Sequence, residues 1–237
     1  MNTLPRLNAV PLTGVLVLLG MLTGAVRAQP PTPAERAAQL KTSLATSQAA
    51  LRQYEWIETT VVSLKGEEKS RQQERCYYGA DGALQKVELG ESPAAPRRRG
   101  LRGRIAEHKR EELTDYMKRA VALVKTYVPP NPTKIQAARD AGKVSVDVLD
   151  PGKRVRLNFR DYEQAGDNLG VEVDLTTNRP LGVKVSTYLD DTEDSVTLDV
   201  RMGQLNDGTS YPADIMLHAV AKKLTVAVQN SGYRKTN

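Results

Sequence analysis

From residue 144 to the C terminus the chain alternates between apolar and polar positions. Val144, Val146 and Val148 are separated by Ser145 and Asp147, and Val155, Leu157 and Phe159 by Arg156 and Asn158. The same rhythm runs through Leu169, Val171, Val173 and Leu175, then Leu181, Val183, Val185 and Leu189, then Val196, Leu198, Val200 and Met202. Leu224, Val226 and Val228 close the series. A period of two places every second side chain on one face of a strand, so one face meets apolar material and the other meets water. Pro151-Gly152 and Asn206-Asp207-Gly208 are turn sequences. Such short connections make neighbouring strands antiparallel. The tract predicts a meander of about seven strands.

Upstream, Trp56–Leu64, Glu68–Tyr78 and Leu84–Leu89 read as three further strands, joined at Lys65-Gly66 and Asp81-Gly82. Helical spacing appears in three places. Thr32-Pro33-Ala34-Glu35 is a helix start, and Ala37, Leu40, Leu44, Leu51 and Tyr54 recur at three- or four-residue steps or their multiples, predicting a helix to about Gln53. A long helix is expected from Ile105 to Val128, with Ile105, Leu113, Met117, Val121 and Val124 on its apolar stripe, ended by Pro129-Pro130. Asn131-Pro132 restarts a short helix that Gly142 stops. Gly90–Gly103, with its prolines and glycines, reads as a loop. A sheet of about ten strands curls, and its aliphatic face must be covered. The predicted class is therefore α+β: a curved antiparallel sheet of about ten strands forming an open half-barrel. An N-terminal helix and a helical lid would lie in its concave face.

The first residues change the compartment. Arg6 is followed by an apolar run, Leu12–Leu22, shorter than the roughly 20 residues needed to span a bilayer. Val26-Arg27-Ala28 offers a cleavage site, and Pro30, Pro31 and Pro33 follow. Residues 1–28 are expected to be a signal peptide, with an uncleaved anchor as the alternative. Residues 29–237 would form a single half-barrel domain with a loop and helical insertion at 90–142. The expected location is the periplasm. The net charge of +6 includes Arg6 and Arg27 of the leader. Export argues against nucleic acid as the partner of this basic chain and in favour of anionic lipid or acidic protein. Cys76 is the only cysteine, so no intramolecular disulfide forms. It reads as a small strand residue, with a reactive thiol as the alternative.

Candidate chemistry is sparse. His108, Glu111 and Glu112 share a helix face, but His218 is the only other histidine, so a solvated face is favoured over a metal site. Asp190, Asp191, Glu193 and Asp194 crowd one turn without the spacing of a calcium loop. No Gly-x-Ser-x-Gly elbow and no phosphate-cradling glycine loop occurs, and two histidines leave little for general-base chemistry. The chain is expected not to be an enzyme and to carry no metal or cofactor. Arg97, Arg98, Arg99, Arg102 and Arg104 form the sharpest charge cluster. It is read as a solvated loop or as a contact for an anionic membrane surface, each charge adding about 1 kcal/mol there.

The order of elements, with Tyr54-Glu55-Trp56-Ile57-Glu58-Thr59-Thr60, Tyr77-Tyr78-Gly79-Ala80-Asp81-Gly82 and the evenly spaced valines after Gly142, resembles the LolA/LolB-like superfamily. That superfamily comprises periplasmic lipoprotein carriers and related envelope lipid binders. The resemblance implies an unclosed barrel with an apolar inside, a helical lid, and binding of acyl chains without chemistry. Related members act as sensors that bind envelope proteins. On this reading the protein is a monomer that holds a lipid or an acylated protein. Leu157, Phe159, Val173, Val185 and Val200 would line the concavity, and Leu113, Met117, Val121 and Val124 the lid. The alternative is an envelope interaction module with a filled core that binds a protein partner. The arginine cluster departs from the dedicated carrier pattern.

Overall fold

A computed structural model describes residues 42, 43, 45–90 and 101–236, with side chains from residue 107 onward in the second segment. A helix, α1, is described over residues 45–51. Three strands follow: β1 (Tyr54–Leu64), β2 (Glu67–Tyr78) and β3 (Leu84–Glu88). Two helices come next, α2 (Leu101–Lys125) and α3 (Pro132–Asp140). Seven strands complete the chain: β4 (Val144–Asp150), β5 (Arg154–Arg160), β6 (Asn168–Asp174), β7 (Arg179–Tyr188), β8 (Ser195–Gln204), β9 (Ser210–Ala219) and β10 (Leu224–Lys235).

All ten strands belong to one antiparallel sheet, in the order β3-β2-β1-β10-β9-β8-β7-β6-β5-β4. The C-terminal strand pairs with β1, which joins the two meanders, and β3 and β4 are the two edge strands of the sheet among the described residues. The expected open half-barrel and its α+β class are what the structure shows. Lys65 and Gly66, at φ 54° and 83°, make the two-residue turn between β1 and β2; positive φ at both positions suits the twist of a hairpin.

Register explains where the core sits. Val144, Phe159, Leu169, Val185, Leu198, Leu217, Val226 and Val62 are successive cross-strand partners from β4 to β1. Val146, Leu157, Val171, Val183, Val200, Ile215, Val228 and Thr60 form a second such row. These rows are the inner face. The sequence pattern is thus a lattice of aliphatic side chains, each worth about 1.5–3 kcal/mol when fully buried.

The helices cover the middle of this lattice. Tyr116, Ala120 and Val124 recur at four-residue steps on α2 and are buried with Phe159, Leu169, Val171, Val183, Val185, Leu198 and Val200. α3 adds Ala138 and the half-buried Ile135 beside β5. Its start is capped by the Asn131 side chain, which accepts from the Thr133 N–H at 2.9 Å.

Two boundaries differ from expectation. α2 begins at Leu101 rather than Ile105, so Arg102 and Arg104 lie on its first turns and not in a loop. The stretch from Leu101 is rich in Arg, Leu, Ala and Glu, and these strong helix formers outweigh Gly103, whose cost is about 1 kcal/mol. α2 also ends at Lys125 instead of Val128, because a residue before proline is disfavoured in helical geometry. Residues 1–28, expected to be a signal peptide, and Arg97, Arg98 and Arg99 lie outside the described residues.

The turn after α2 holds a buried polar cluster that ties the lid to the sheet. Tyr127 is fully buried; its hydroxyl donates to Asp167, which is 2% exposed, and pairs with the Thr187 hydroxyl of β7 at 2.8 Å. Asp167 also accepts from the backbone N–H groups of Tyr162, Glu163 and Gln164. The Tyr162 hydroxyl accepts from the Asn131 N–H at 2.6 Å. A buried carboxylate is tolerable only when its oxygens are saturated this way. Tyr127→Phe should cost about 1–2 kcal/mol. Asp167→Ala should cost about 3 kcal/mol, because it orphans Tyr127 and three backbone donors together. Denaturant unfolding followed by circular dichroism measures both; a loss at Asp167 no larger than at the exposed Asp147→Ala would refute this role.

Candidate functional site

Coverage of the inner face is uneven. Leu198, Leu217 and Val200 are buried under α2, but their row neighbours toward β1 are not: Ile215, Val226, Val228 and Val62 are half-buried. On the lid, Leu113, Met117 and Val121 flank the buried stripe and are also half-buried. Met117, Val121, Val62, Ile215, Val226 and Met202 all pack on the margin of the core cluster. A half-buried apolar seam therefore runs along the β9-β10-β1 floor, and a second half-buried apolar line runs along the side of α2.

The predicted lining residues divide along this line. Phe159, Val173, Val185, Val200 and Val124 sit inside the packed cluster, each 3–7% exposed. Leu157, Leu113, Met117 and Val121 keep accessible surface. Strand alternation and helical spacing found both sets but had no means of telling them apart, since the helix and the strands that it covers come from distant parts of the chain.

Beyond the seam the inner face becomes polar. Val62 is followed along β1 by Thr60, Glu58 and Trp56 on the same face. Lys86 of β3 bonds Glu58 at 2.5 Å and Glu74 at 3.6 Å. Trp56 donates its indole N–H to Asn230 at 3.1 Å and stacks on Tyr233, with ring centres 5.5 Å apart. Tyr211 packs on Tyr233 in turn. Cys76, opposite Trp56, is fully buried, and burial pushes its thiol up to about 11. It is a structural residue with little thiolate at neutral pH.

A second concavity, of about 860 Å³, lies at one end of the sheet. Its walls are His108, Glu111, Glu112, Asp115, Tyr116 and Arg119 of α2, the β7–β8 tip with Asp190, Asp191, Glu193 and Asp194, and Ala221-Lys222 of the β9–β10 tip. Two acidic groups that lie some 80 residues apart in the chain, about as far as a whole half-domain, thus form one groove. Seven carboxylates face two cations there, in a chain whose net charge is +6. Among the described residues no three side chains are arranged to hold a metal ion. Specific contacts fasten the groove: Arg119 pairs with Asp190, the Tyr116 hydroxyl donates to Asp194 at 2.5 Å, and Lys222 reaches Glu112 at 3.3 Å. The Arg119 hydrogen bond holds Asp190 below the usual carboxylate range. Separation in sequence hid this groove; the only available signal was the density of acids at each place.

The outer face carries a shallower polar hollow of about 470 Å³ over Gly170, between Arg156, Asn158, Lys184, Thr197, Asp199 and His218. Its charges are paired across strands, Arg156 with Glu172 at 2.5 Å and Lys184 with Asp199 at 2.6 Å. Such pairs each contribute a few tenths of a kcal/mol and keep this face wet.

No family model matches the chain, and no curated protein sequence does. Among solved structures it is similar to a LolA superfamily protein from Nitrosomonas europaea, at 10% identity over 84% of this chain and 94% of that one, with a TM-score of 0.35. It is also similar to a domain assigned to outer membrane lipoprotein sorting in Vibrio parahaemolyticus, at 13% identity over 82% and 91%, with a TM-score of 0.36. A third similarity is to the MucA/MucB complex of Pseudomonas aeruginosa, at 10% identity over 85% and 99%, with a TM-score of 0.23.

Buried tyrosines on the lid and on β10 make the packing sensitive to alkali. Burial, and for Tyr116 and Tyr127 also the hydrogen bonds to Asp194 and Asp167, raise the phenols of Tyr116, Tyr127 and Tyr233 well above the ordinary value near 10. A raised folded-state value stabilises the fold at every pH below about 10 and loses that contribution as pH climbs toward the folded-state value. In an alkaline titration, ultraviolet absorbance should show these phenols ionising only with the loss of ordered structure. Early ionisation of all the tyrosines in a still-folded protein would contradict the packing described.

Proposed function

We propose that this chain is an exported, non-catalytic binding protein that holds an acyl chain in the apolar seam between α2 and the β9-β10-β1 floor. The observation that carries this reading is the row continuity. The same aliphatic lattice that is buried in the core continues, half-buried, through Ile215, Val226, Val228 and Val62, and Leu113, Met117 and Val121 of the lid are half-buried on the margin of the same core. Concave apolar surface bounded by a few polar groups is the usual form of a small-ligand site. The buried set Phe159, Val173, Val185, Val200 and Val124 supports the seam from behind and reaches ligand only if α2 lifts. The periplasm is the compartment this reading requires, and the ligand is a lipid or an acylated protein.

Native purification without detergent, solvent extraction and mass spectrometry test the idea. A stoichiometric acyl species is expected. Met117→Ser and Val226→Ser should lower its retention several-fold with little change in unfolding, whereas Val185→Ser should cost about 2–3 kcal/mol of stability. Clean apo protein that takes up no added fatty acid or lipopeptide would overturn the reading.

The acidic groove favours a second reading, an interaction module for a basic protein segment. Seven carboxylates against two cations attract positive charge and speed its encounter at low salt. Replacing Asp191 and Glu193 by Lys should weaken capture of an arginine-rich peptide at least tenfold in isothermal titration, and equal affinity would exclude the groove as its site.

A further inference from the structure

The two edges of the sheet are not alike. At β3 the inner-facing Lys86 is a charge turned into the concavity, held by Glu58 and Glu74. An inward charge on an edge strand opposes the addition of another strand. β4 has no such guard. Val146 and Val148 are 56% and 64% exposed, and with Val220 in the β9–β10 turn they are the three most exposed large apolar side chains described. They end the aliphatic rows, beyond the reach of α2 and α3.

The backbone of β4 is equally open. Arg160 donates its N–H to Lys143 O at 3.0 Å, which makes Lys143 and Arg160 a hydrogen-bonded pair of the β4–β5 ladder. Bonded and non-bonded pairs alternate in an antiparallel ladder. Val144, Val146 and Val148 are therefore the residues whose N–H and C=O groups turn away from β5, toward the free edge. The same three residues carry the exposed apolar row.

We propose that β4 pairs with β4 of a second copy of this chain, antiparallel about a two-fold axis at Val146. The strand is self-complementary in that register. Val146 meets its own copy, Val144 meets Val148, and Ser145 meets Asp147, so the valine row continues unbroken from one inner face to the other. Lys143 and Asp147 become diagonal neighbours on the outer face, with opposite charges. Shifting the axis to Asp147 would set two carboxylates directly opposite each other, which is unfavourable. A copy of this chain fits better than an arbitrary strand, because it supplies valine, serine and aspartate in the matching order. The pairing departs from the monomer expected from the sequence, where an edge strand cannot be told from a central one. It stands independently of the acyl-binding reading, since β4 lies at the opposite end of the sheet from the seam.

Sedimentation velocity of the protein over micromolar to near-millimolar concentration should show a concentration-dependent dimer. Val146→Lys should abolish it with an unchanged melting curve, as should Val148→Lys. Val146→Cys should oxidise to a covalent dimer, since directly opposite Cα atoms lie within disulfide range, while Asp147→Cys should do so far more slowly; buried Cys76 stays silent in both. A dimer that survives Val146→Lys, or faster crosslinking at Asp147→Cys, overturns the proposed interface. A wild-type monomer throughout the range overturns it too and leaves the edge to a strand of another protein.

Discussion

The placement of α2 depends on one buried carboxylate. Asp167 gathers the Tyr127 hydroxyl and three backbone N–H groups at the corner between β5 and β6, and Tyr127 is the residue at which α2 turns off the sheet. The apolar contacts of α2 are non-directional and would tolerate sliding by a turn. The Tyr127–Asp167–Thr187 cluster does not tolerate it, because any shift leaves a buried acceptor or donor unpaired. Along its middle, the tips of two hairpins hold the same helix through Arg119–Asp190, Tyr116–Asp194 and Lys222–Glu112. The helix is therefore held at its C-terminal end and along its middle, and the β10-β1 side of the inner face stays half-buried.

That placement creates the candidate surfaces. Rows of eight cross-strand partners are longer than one helix can cover. The middle is dry, the β1 side is a half-open apolar seam, and the β4 side is an exposed edge. The acidic groove follows from the same cause, since pinning α2 to the hairpin tips brings its acidic face against Asp190, Asp191, Glu193 and Asp194. In a chain with a net charge of +6, that concentration of one sign gives the surface a strong local field.

Much of the architecture was legible in the sequence. Period-two alternation from Val144 to Val228 specified the inner-facing residues of the C-terminal strands, because a strand has only two faces and a one-residue slip would expose the whole row. Lys65-Gly66 and Asp81-Gly82 marked the first hairpins, since few residues adopt positive φ at low cost. Helical spacing marked α2 and the side that it buries. What lay beyond these local rules was coverage. Whether Val185 or Val226 is accessible depends on which strands lie beneath α2, and that is decided by a tyrosine and an aspartate 40 residues apart meeting in the interior. Edge identity was hidden for the same reason: β4 and β6 carry similar patterns, and only the pairing of β10 with β1 leaves β4 at the end of the sheet. The sequence by itself determined which face of each strand is apolar, because that is a property of neighbouring residues. Only the tertiary structure decided which part of that face is filled, open or at an edge, because this depends on contacts between segments far apart in the chain.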